Sequence, residues 1–415
     1  MEEPLTIEGG HPLQGRVRIS GAKNASLVIM AATVMVPGET ILENVPCIRD
    51  VEVLADILEC LGARVTRLED GNLSIYVPDD IKVETPYELA KKLRASNLLL
   101  GSLLGKKREA RICLPGGCDI GSRPMDLHLK GLAALGAEVR LEHGFVEARA
   151  GKLVGNRVYL DFPSVGATEN IMMLAALTPG YTVIENAAKE PEIVDLANFL
   201  NAVGGKIRGA GTDLIRIEGV AELKATRYAV IPDRIEAGTY MTAAVATGGD
   251  VLVENVIPTH LYPIMAKLQE TGAVIREENG GLRVQAGAEI LPVDIKTLPY
   301  PGFPTDLQSQ MMALLSVARG TSVIVENVFE NRFRMVDEIK RMGARIKVEG
   351  HTAVVEGVPR LYGARVKATD LRAGAALAIA ALMAEGVTEI ENPYYIYRGY
   401  ENFKSKLRNL GARVI

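Results

Sequence analysis

A glycine recurs six times along the chain at a spacing of about 70 residues, each time at the end of an amphipathic helical pattern. The six copies are Leu61-Gly62-Ala63, Leu135-Gly136-Ala137, Val203-Gly204-Gly205, Thr271-Gly272-Ala273, Met342-Gly343-Ala344 and Leu410-Gly411-Ala412. Because a short strand-like segment follows each copy, we predict that each central glycine ends a helix as its C-cap. A period of this length predicts six copies of one supersecondary unit.

Each repeat also contains a β-branched run, and five of these runs end in Glu-Asn. The five dipeptides are Glu43-Asn44, Glu185-Asn186, Glu254-Asn255, Glu326-Asn327 and Glu391-Asn392. Such a run is typical of a strand that ends in a turn. Upstream lies a second helical segment, so rich in Ala, Leu and Met that we expect it to be buried on most faces. The sequence therefore predicts an α/β protein built from helix, strand, helix, strand units.

The length and the N-terminal sequence indicate a cytoplasmic protein of two domains. At 415 residues the chain is too long for one ordinary hydrophobic core. No apolar run approaches the roughly 20 residues that cross a bilayer, and the start Met1-Glu2-Glu3-Pro4 is acidic where a signal peptide is basic. We expect no membrane association.

The charge balance argues against nucleic acid as a partner. The net charge is −4 and the chain has no Trp, whereas surfaces that bind nucleic acid are basic and often stack bases on aromatic side chains. Any anionic ligand must therefore be held by a local cluster of donors. We expect small-molecule substrates, and the sequence leaves the oligomeric state open.

Polar residues open the apolar helix of every repeat. These segments are Lys23-Asn24, Arg94-Ala95-Ser96, Gly166-Ala167-Thr168, Arg234-Ile235-Glu236, Thr305-Asp306 and Thr369-Asp370-Leu371-Arg372. One interpretation is structural, with Ser20, Thr305 and Thr369 as N-caps and the rest as solvated surface. The other is functional, because six helix N-termini aimed at one cleft would attract an anion through their N–H groups and dipoles. Recurrence in all six repeats favours the functional interpretation.

The second repeat differs from the others, since it carries Gly117-Cys118 in place of Glu-Asn. Cys118 precedes Gly136 by the same eighteen residues that separate Asn44 from Gly62. The surrounding segment, Pro115 to Pro124, contains three glycines and two prolines. That composition predicts an exposed, mobile loop that could act as a lid.

The four cysteines receive different interpretations. Cys118 cannot be buried by a glycine loop, and nearby Arg123 would favour its thiolate. We therefore interpret it as a functional thiol, either a nucleophile or an acid. Cys60, in a helical stripe, and Cys113, in a strand, are predicted to be small buried hydrophobes, and Cys47 to be structural.

Motifs spread over the whole chain carry a resemblance to a known family. In the first half they are Ser20-Gly21-Ala22-Lys23-Asn24-Ala25, Arg94-Ala95-Ser96, the Cys118 loop, Arg123-Pro124 with Asp126-Leu127-His128, and Ser164 to Thr168. In the second half they are Glu190 to Asp195, Pro232 to Glu236, Phe303 to Asp306, Glu330 to Phe333, Thr369 to Ala373 and Arg398 to Glu401. The sequence resembles the UDP-N-acetylglucosamine 1-carboxyvinyltransferases, within the enolpyruvyl transferase family that also includes 5-enolpyruvylshikimate-3-phosphate synthase.

The resemblance implies a two-domain inside-out α/β barrel, with three repeats per domain, buried helices inside and sheets outside. It places one domain at residues 22–229, with the Cys118 loop, and the other at residues 1–21 plus 230–415. The active site of that family lies in the interdomain cleft.

The resemblance also implies residue roles. Lys23, Arg123 and Arg398 would bind the phosphate of phosphoenolpyruvate, and Arg332 and Arg372 its carboxylate. Asn24 is also implied as a residue that binds phosphoenolpyruvate. The residues implied for UDP-N-acetylglucosamine are Asn24, Arg94, Arg123, Pro124, Met125, Asp126, Leu127, Ser164, Val165, Gly166, Asp306 and Val328. Several guanidinium groups suit a trianionic substrate, because their planar forks match carboxylate and phosphate oxygens.

The implied reaction transfers the enolpyruvyl group to the sugar 3-hydroxyl by addition and elimination through a tetrahedral ketal, as the first committed step of peptidoglycan synthesis. Asp306 would be the general base, and Cys118 the proton donor and the site of a covalent phosphoenolpyruvate adduct. The arginines would stabilise the moving charge, so we expect no metal and no organic cofactor. His128 is left between a structural and a ligand-binding role.

Two alternatives remain open: the shikimate enzyme, which does not use the glycine-loop thiol, and a non-catalytic protein that binds a UDP-sugar. Two positions depart from the resemblance. Phe162 stands where some members carry a lysine near the diphosphate, and Leu98 where some carry a tryptophan.

Overall fold

The computed structural model describes residues 3–114 and 125–415 of the chain. These residues divide into two units, each with its own hydrophobic core. Unit 1 comprises residues 3–20 and 232–415, and unit 2 comprises residues 21–114 and 125–231. None of the helices in these ranges is long and apolar enough to cross a bilayer.

Strands and helices alternate along both units. The strands of the described residues are β1 (Leu5–Glu8), β2 (Gln14–Arg18), β3 (Gly38–Glu43), β4 (Arg64–Arg67), β5 (Leu73–Val77), β6 (Glu109–Cys113), β7 (Glu138–Glu142), β8 (Phe145–Arg149), β9 (Arg157–Tyr159), β10 (Tyr181–Glu185), β11 (Lys206–Arg208), β12 (Leu214–Glu218), β13 (Arg227–Ala229), β14 (Asp250–Glu254), β15 (Val274–Glu278), β16 (Gly281–Gln285), β17 (Ile295–Lys296), β18 (Thr321–Val325), β19 (Arg345–Glu349), β20 (Thr352–Glu356), β21 (Arg365–Lys367), β22 (Val387–Glu391) and β23 (Arg413–Val414). The α-helices are α1 (Lys23–Thr33), α2 (Arg49–Leu61), α3 (Tyr87–Ala90), α4 (Leu99–Lys107), α5 (Asp126–Ala134), α6 (Val165–Ala176), α7 (Pro191–Ala202), α8 (Arg234–Ala246), α9 (Tyr262–Glu270), α10 (Gln308–Leu315), α11 (Val336–Arg341), α12 (Leu371–Met383), α13 (Tyr394–Tyr397) and α14 (Phe403–Asn409). Three 3-10 helices cover Arg94–Leu98, Pro258–His260 and Thr305–Leu307.

Six sheets repeat one pattern, in which a parallel pair of strands is extended by two antiparallel strands. Five of them have the strand orders β13-β3-β5-β4, β9-β10-β12-β11, β2-β14-β16-β15, β17-β18-β20-β19 and β21-β22-β1-β23. In the sheet of the second repeat, β6-β8-β7, the fourth strand is reduced to a parallel bridge between Glu84 and Arg111. The prediction of six α/β repeats is confirmed.

Two strands pair out of sequence order, and this pairing marks where the chain passes between the units. In the other repeats a short strand, its helix and the parallel partner strand follow one another, as in β9, α6 and β10. Strand β2, however, is followed by α1 but pairs with β14 of unit 1, while β13 pairs with β3 of unit 2. Strand β1, near the N-terminus, also belongs to unit 1, where it pairs with β22 on one side and with β23 on the other.

Three helices of each unit are buried around their whole circumference, namely α1, α4 and α6 in unit 2 and α8, α10 and α12 in unit 1. Every residue of α12 from 371 to 382 is buried, as is every residue of α1 from 25 to 33. The prediction that these helices are buried on most faces is confirmed. The polar side chains of these buried helices therefore lie mainly at the N-terminal turns. The first backbone N–H groups of a helix also have no partner within the helix and need one there.

The six recurrent glycines all adopt the left-handed conformation, with φ from 92° to 112°. Each stands directly after the last turn of an amphipathic helix, where a residue with a side chain would be strained. Gly62 is itself the C-cap of its helix, as predicted. In the other five repeats the prediction is off by one residue, because the C-cap is the residue before the glycine: Leu135, Val203, Thr271, Met342 and Leu410.

The Glu-Asn dipeptides end strands, as predicted, and the structure shows what the asparagine does. Asn44, Asn186, Asn255 and Asn392 have φ between 54° and 58°, whereas Asn327 lies outside this region. Four of the side-chain amides donate to the carbonyl that follows the parallel partner strand, at 2.7–3.0 Å. These contacts join Asn44 to Val230, Asn186 to Leu160, Asn255 to Ile19 and Asn327 to Thr297.

The structural interpretation of the polar helix starts is wrong at all three of its N-cap positions. The N-caps of the inner elements are Ala22, Pro304 and Asp370 rather than Ser20, Thr305 and Thr369. The hydroxyl of Thr305 donates instead to Glu326, and a carboxylate such as that of Asp370 can accept two helix N–H groups.

Cysteines 47, 60 and 113 form no disulfide within the described residues. Cys113 is buried, as predicted, but Cys60 is exposed, and so is Cys47. Position 60 falls beside the buried stripe of α2, which runs through Val51, Leu54, Leu58 and Leu61.

Candidate active site

In unit 1 one carboxylate is held between two buried arginines. Asp306 lies in the 3-10 turn that opens α10, Arg372 in the first turn of α12, and Arg332 in the segment between β18 and α11. Nη2 of Arg372 donates to one carboxylate oxygen of Asp306 at 2.9 Å, and Nη2 of Arg332 donates to the other. The side chain of Asp306 is 25% exposed, whereas those of Arg332 and Arg372 are 2% and 4% exposed. The cluster therefore presents a reachable carboxylate backed by two cations and has net positive charge.

Arg372 stays charged in spite of its burial. Desolvation alone would lower the pKa of this guanidinium, but the negative charge of Asp306, with Tyr400 and Asp233, raises it above its ordinary value. The carboxylate of Asp370 accepts from the backbone N–H of Arg372 at 2.9 Å and so fixes the start of α12. Two buried cations are thus available for an anionic ligand.

Glu326 connects this cluster to Val328 and was not recognised from the sequence. Its Oε2 accepts from the hydroxyl of Thr305 at 2.9 Å, and its Oε1 accepts from the N–H of Val328 at 2.8 Å and from Thr297. Glu326 is 1% exposed. The recurrence of the Glu-Asn dipeptide is the available sequence signal for Glu326, although the pattern by itself predicts only a turn.

Arg398 ends α13, which packs against α12, and is half-buried. It lies two residues before Tyr400, whose hydroxyl accepts from Arg372 at 3.2 Å. The predicted arginines of unit 1 are thus carried by neighbouring elements.

Ser20, the last residue of unit 1 before α1, is held by the buried side chain of Glu236 and by Lys406, which contacts it. Its N–H donates to Glu236 at 2.8 Å, and Lys406 donates to Glu236 at 2.6 Å and to the hydroxyl of Ser20 at 2.7 Å. Burial raises the pKa of Glu236 to about 7, although the charge of Lys406 opposes this shift. No sequence signal pointed to Lys406, because it lies in an ordinary amphipathic helix.

In unit 2 the start of α1 carries Lys23 and Asn24. Lys23 is an interior cation, 14% exposed, whose Nζ lies 3.4 Å from Oδ2 of Asp50 in α2. Asn24 is exposed. The N-cap Ala22 provides no side-chain acceptor for the N–H groups of this turn.

The predicted diphosphate segment forms the N-terminus of α6. Ser164 is the N-cap and accepts from the N–H of Ala167 at 3.4 Å, while Val165 and Gly166 form the half-buried first turn. A Cβ on Gly166 would lie 2.9 Å from Cε1 of His128. A side chain at position 166 would therefore force the imidazole or the turn to shift.

The hydrogen bonds around His128 fix its tautomer. Oδ1 of Asn170 accepts from the N–H of Gly101 at 2.7 Å, so its Nδ2 must be the atom that faces Asn97 O and Nδ1 of His128. Nδ1 therefore accepts and Nε2 carries the proton. Burial, followed by the charge of Arg94, lowers the pKa of His128 to about 4, so the ring is neutral.

This arrangement brings several predicted residues of unit 2 together. Asp126 and Leu127 lie in α5 beside His128, Arg94 is close enough to act on that ring, and Gly166 packs against it. Met125 precedes α5 and is buried, with its sulfur 3.5 Å from the amide of Asn97. Cys118, Arg123 and Pro124 lie outside the described residues.

The two departures from the resemblance have different surroundings. Phe162 is exposed, two residues before Ser164, whereas Leu98 is buried in the core. Among residues 3–114 and 125–415 no group of three His, Cys, Asp or Glu side chains is arranged to hold a metal ion.

The chain is similar to proteins of known family. The family described as EPSP synthase (3-phosphoshikimate 1-carboxyvinyltransferase) matches residues 7–407. UDP-N-acetylglucosamine 1-carboxyvinyltransferase 1 of Caldanaerobacter subterraneus subsp. tengcongensis is 59% identical over 415 residues, which are 100% of this chain and 99% of that protein. UDP-N-acetylglucosamine 1-carboxyvinyltransferase 2 of Carboxydothermus hydrogenoformans is 58% identical over 414 residues, 99% of each chain.

Solved structures are similar over the same length. The enolpyruvyl transferase NikO from Streptomyces tendae has a TM-score of 0.90 at 27% identity, over 100% of this chain and 99% of that chain. EPSP synthase from Acinetobacter baumannii has a TM-score of 0.75 at 19% identity, over 100% of both chains.

Proposed function

This chain belongs to the EPSP synthase family, and from that membership we propose that it transfers the enolpyruvyl group of phosphoenolpyruvate to the 3-hydroxyl of UDP-N-acetylglucosamine and releases phosphate. The product would enter peptidoglycan synthesis. The likenesses to the solved structures confirm the predicted fold, the inside-out α/β barrel of the enolpyruvyl transferases.

The observation that carries the proposal is the carboxylate of Asp306 between the guanidinium groups of Arg332 and Arg372. A reaction that joins a hydroxyl to an anionic substrate needs a base for the hydroxyl proton and cations for the anion. Both are present within hydrogen-bond distance of each other. The whole-length identity with carboxyvinyltransferases that act on UDP-N-acetylglucosamine selects the acceptor.

We assign the carboxylate of phosphoenolpyruvate to Arg332 and Arg372, and its phosphate to Lys23, Arg123 and Arg398, with Asn24 beside Lys23. Guanidinium forks that are buried and desolvated bind carboxylate and phosphate more strongly than exposed ones. The two arginines are held by Asp306 until a substrate competes for them. A bound carboxylate would take over their N–H groups and leave Asp306 able to accept a proton.

The chemistry then follows in two steps. The sugar 3-hydroxyl loses its proton to Asp306 and attacks C2 of phosphoenolpyruvate, while C3 gains a proton from Cys118, which gives a tetrahedral ketal. The bond from C2 to the phosphate oxygen then breaks, C3 returns a proton to the Cys118 thiolate, and Asp306 gives the proton it took from the hydroxyl to the leaving phosphate, so that the enolpyruvyl ether and phosphate are released. The arginines stabilise the charge that moves through the ketal.

In unit 2 we assign the diphosphate of the nucleotide to the N-terminal turn Ser164-Val165-Gly166, whose backbone N–H groups and dipole favour anions. Arg94, Arg123 and residues 124–127 would hold the uridine side, and Asn24, Asp306 and Val328 the amino sugar. The exposed Phe162 beside this turn supplies no charge. We therefore attribute diphosphate binding mainly to the backbone.

The role of Cys118 is tested by alkylation and by mutation. An epoxide phosphonate that resembles phosphoenolpyruvate should modify Cys118, and Cys118→Ala should retain UDP-sugar binding but lose turnover. Peptide mass spectrometry that places the adduct on Cys47, Cys60 or Cys113 would reject this assignment.

The first test of the function is phosphate release from phosphoenolpyruvate by the purified protein. We expect release with UDP-N-acetylglucosamine, and none with shikimate 3-phosphate or without an acceptor. Release with shikimate 3-phosphate alone would identify the shikimate reaction. UDP-sugar binding without any release would identify a non-catalytic binding protein.

A further inference from the structure

The hydroxyl of Tyr400 lies at the centre of a buried network behind the Asp306 cluster of unit 1. Tyr400 is 2% exposed. Its oxygen lies 2.9 Å from Oγ1 of Thr239, 3.2 Å from Nη1 of Arg372 and 3.3 Å from Nε2 of Gln310. A buried hydroxyl with three polar neighbours has a defined set of donors and acceptors.

The direction of each hydrogen bond follows from the neighbours. The hydroxyl of Thr239 donates to the carbonyl of Ile235 at 2.8 Å, so its oxygen must accept from Tyr400. Nε2 of Gln310 donates to the carbonyl of Asp306 at 2.9 Å, which fixes the orientation of that amide. Arg372 can only donate. Tyr400 therefore donates to Thr239 and accepts from Arg372.

The contact with Tyr400 determines where the other side of the Arg372 guanidinium points. The group is planar, so fixing Nη1 on the tyrosine oxygen leaves Nη2 directed at Oδ2 of Asp306, 2.9 Å away. The Tyr400 ring lies 5.5 Å from Cζ of the same arginine. Burial raises the pKa of Tyr400, which keeps the hydroxyl protonated as this arrangement requires.

We propose that Tyr400 is a positioning residue for the enolpyruvyl transfer, which orients Arg372 toward Asp306 and toward the carboxylate of phosphoenolpyruvate. The inference rests on the proposed function. Gln310 supports the same geometry, because its amide links the backbone of Asp306 to the Tyr400 hydroxyl.

Unit 1 offers a matched control in Tyr240. Both tyrosines are buried and both contact Phe403, with ring centroids 5.4 Å apart for Tyr400 and 6.1 Å apart for Tyr240. The Tyr240 hydroxyl has no hydrogen-bond partner within the described part of the chain. Tyr→Phe at each position therefore removes the same atom from the same core, and only Tyr400→Phe removes a contact with Arg372.

The test compares steady-state kinetics of the wild type, Tyr400→Phe and Tyr240→Phe, with each substrate varied in turn. Tyr400→Phe should raise KM for phosphoenolpyruvate and lower kcat, each about tenfold, because Arg372 loses one hydrogen bond and its orientation. KM for UDP-N-acetylglucosamine should change less than about twofold. Tyr240→Phe should leave all three constants unchanged. Identical constants for the two variants would overturn the proposal.

A second measurement separates this inference from the proposed function. A wild type that releases no phosphate refutes the function, but crystal structures of the wild type and Tyr400→Phe still test the positioning role. We expect the contact between Arg372 and Asp306 to be lost or displaced in the variant. An unchanged contact would refute the role of Tyr400 whatever the activity.

Discussion

The two units share one repeat but differ in the acidic residues at the starts of their inner helices. In unit 1 all three helices begin at an aspartate: Asp233 caps α8, Asp370 caps α12 and Asp306 lies in the turn before α10. In unit 2 the corresponding starts carry Lys23, Arg94 and Val165, and these described first turns contain no acidic residue. Basic residues open helices in both units, since Arg234 and Arg372 lie in the first turns of α8 and α12, so the difference between the units is the aspartates that unit 1 adds.

The difference separates two kinds of chemistry. An aspartate at a helix start accepts the N–H groups of the turn and can hold arginines, as Asp306 holds Arg332 and Arg372. A turn such as Ser164 to Gly166 presents backbone N–H groups to an anion. On the proposed function, unit 1 would supply the base Asp306 and the carboxylate site, and the described part of unit 2 the diphosphate site.

The largest effect should follow from the loss of the acid in unit 1. Asp306→Asn keeps the shape of the side chain but removes the base, so we expect kcat to fall about 10²–10⁴-fold while both substrates still bind. Rapid-quench measurement of phosphate release tests the fall in kcat, and calorimetry of UDP-sugar binding tests whether the nucleotide substrate still binds. A variant with a normal rate would remove Asp306 from the role of base.

The next effect concerns the planar fork of Arg372. Arg372→Lys keeps the charge but cannot contact Tyr400 and Asp306 together, so we expect KM for phosphoenolpyruvate to rise roughly 10–100-fold. Arg283 supplies the control, since it makes a similar two-point contact with Asp250 at 2.7 and 2.9 Å on the surface of unit 1. Arg283→Lys should leave the kinetics unchanged, and equal effects of both changes would show a loss of stability rather than of binding.

A smaller effect is expected at the backbone site of unit 2. Gly166→Ala would place a Cβ 2.9 Å from His128, so the ring or the turn must shift. We expect KM for the UDP-sugar to rise about tenfold, with little change in KM for phosphoenolpyruvate. Gly151→Ala is the control, because a Cβ there meets nothing within 4 Å. Equal kinetics of the two variants would argue against a nucleotide site at this turn.

The parts of the fold that local rules govern were predictable from the sequence. Each recurrent glycine ends a helix because only a residue without a side chain adopts its φ without strain, and each apolar segment forms an inner helix because no face of it suits water. Helix starts were also recognisable, since polar residues interrupt an apolar pattern there. Which neighbour caps the helix was not, because both Thr369 and Asp370 have a suitable oxygen.

The partners of the site residues were not predictable from local pattern. Asp306 meets arginines that lie 26 and 66 residues away, and the tertiary packing of α10 and α12 brings them together. Lys406 lies in α14, whose spacing resembles that of other amphipathic helices, and Tyr400 lies in the turn between α13 and α14. Cys60 was misplaced for a related reason, since a position at the edge of a buried stripe is decided by what packs beside it.

The smallest effect should appear in the pH dependence of stability. One buried group in each unit should change the stability with pH, and the two changes should run in opposite directions. Burial raises the pKa of Glu236 in unit 1 to about 7 from 4.5, so the native state holds a proton that the unfolded state has lost. Its contribution to stability is complete below about pH 4.5 and is lost as the pH rises to about 7. For His128 in unit 2 the pKa falls to about 4 from 6.5, so its contribution is complete above about pH 6.5 and is lost as the pH falls to about 4.

Thermal unfolding of Glu236→Gln and His128→Gln between pH 4 and 7 tests this pair. We expect the wild-type Tm to fall by a few degrees as Glu236 loses its proton at rising pH, and by a few degrees as His128 gains one at falling pH. Glu236→Gln should lack the first decline, and His128→Gln should lack the second. The comparison of slopes matters more than the absolute Tm, because each substitution also changes hydrogen bonds at every pH. Parallel pH profiles for the wild type and both variants would show that neither buried group changes its protonation on unfolding in this range.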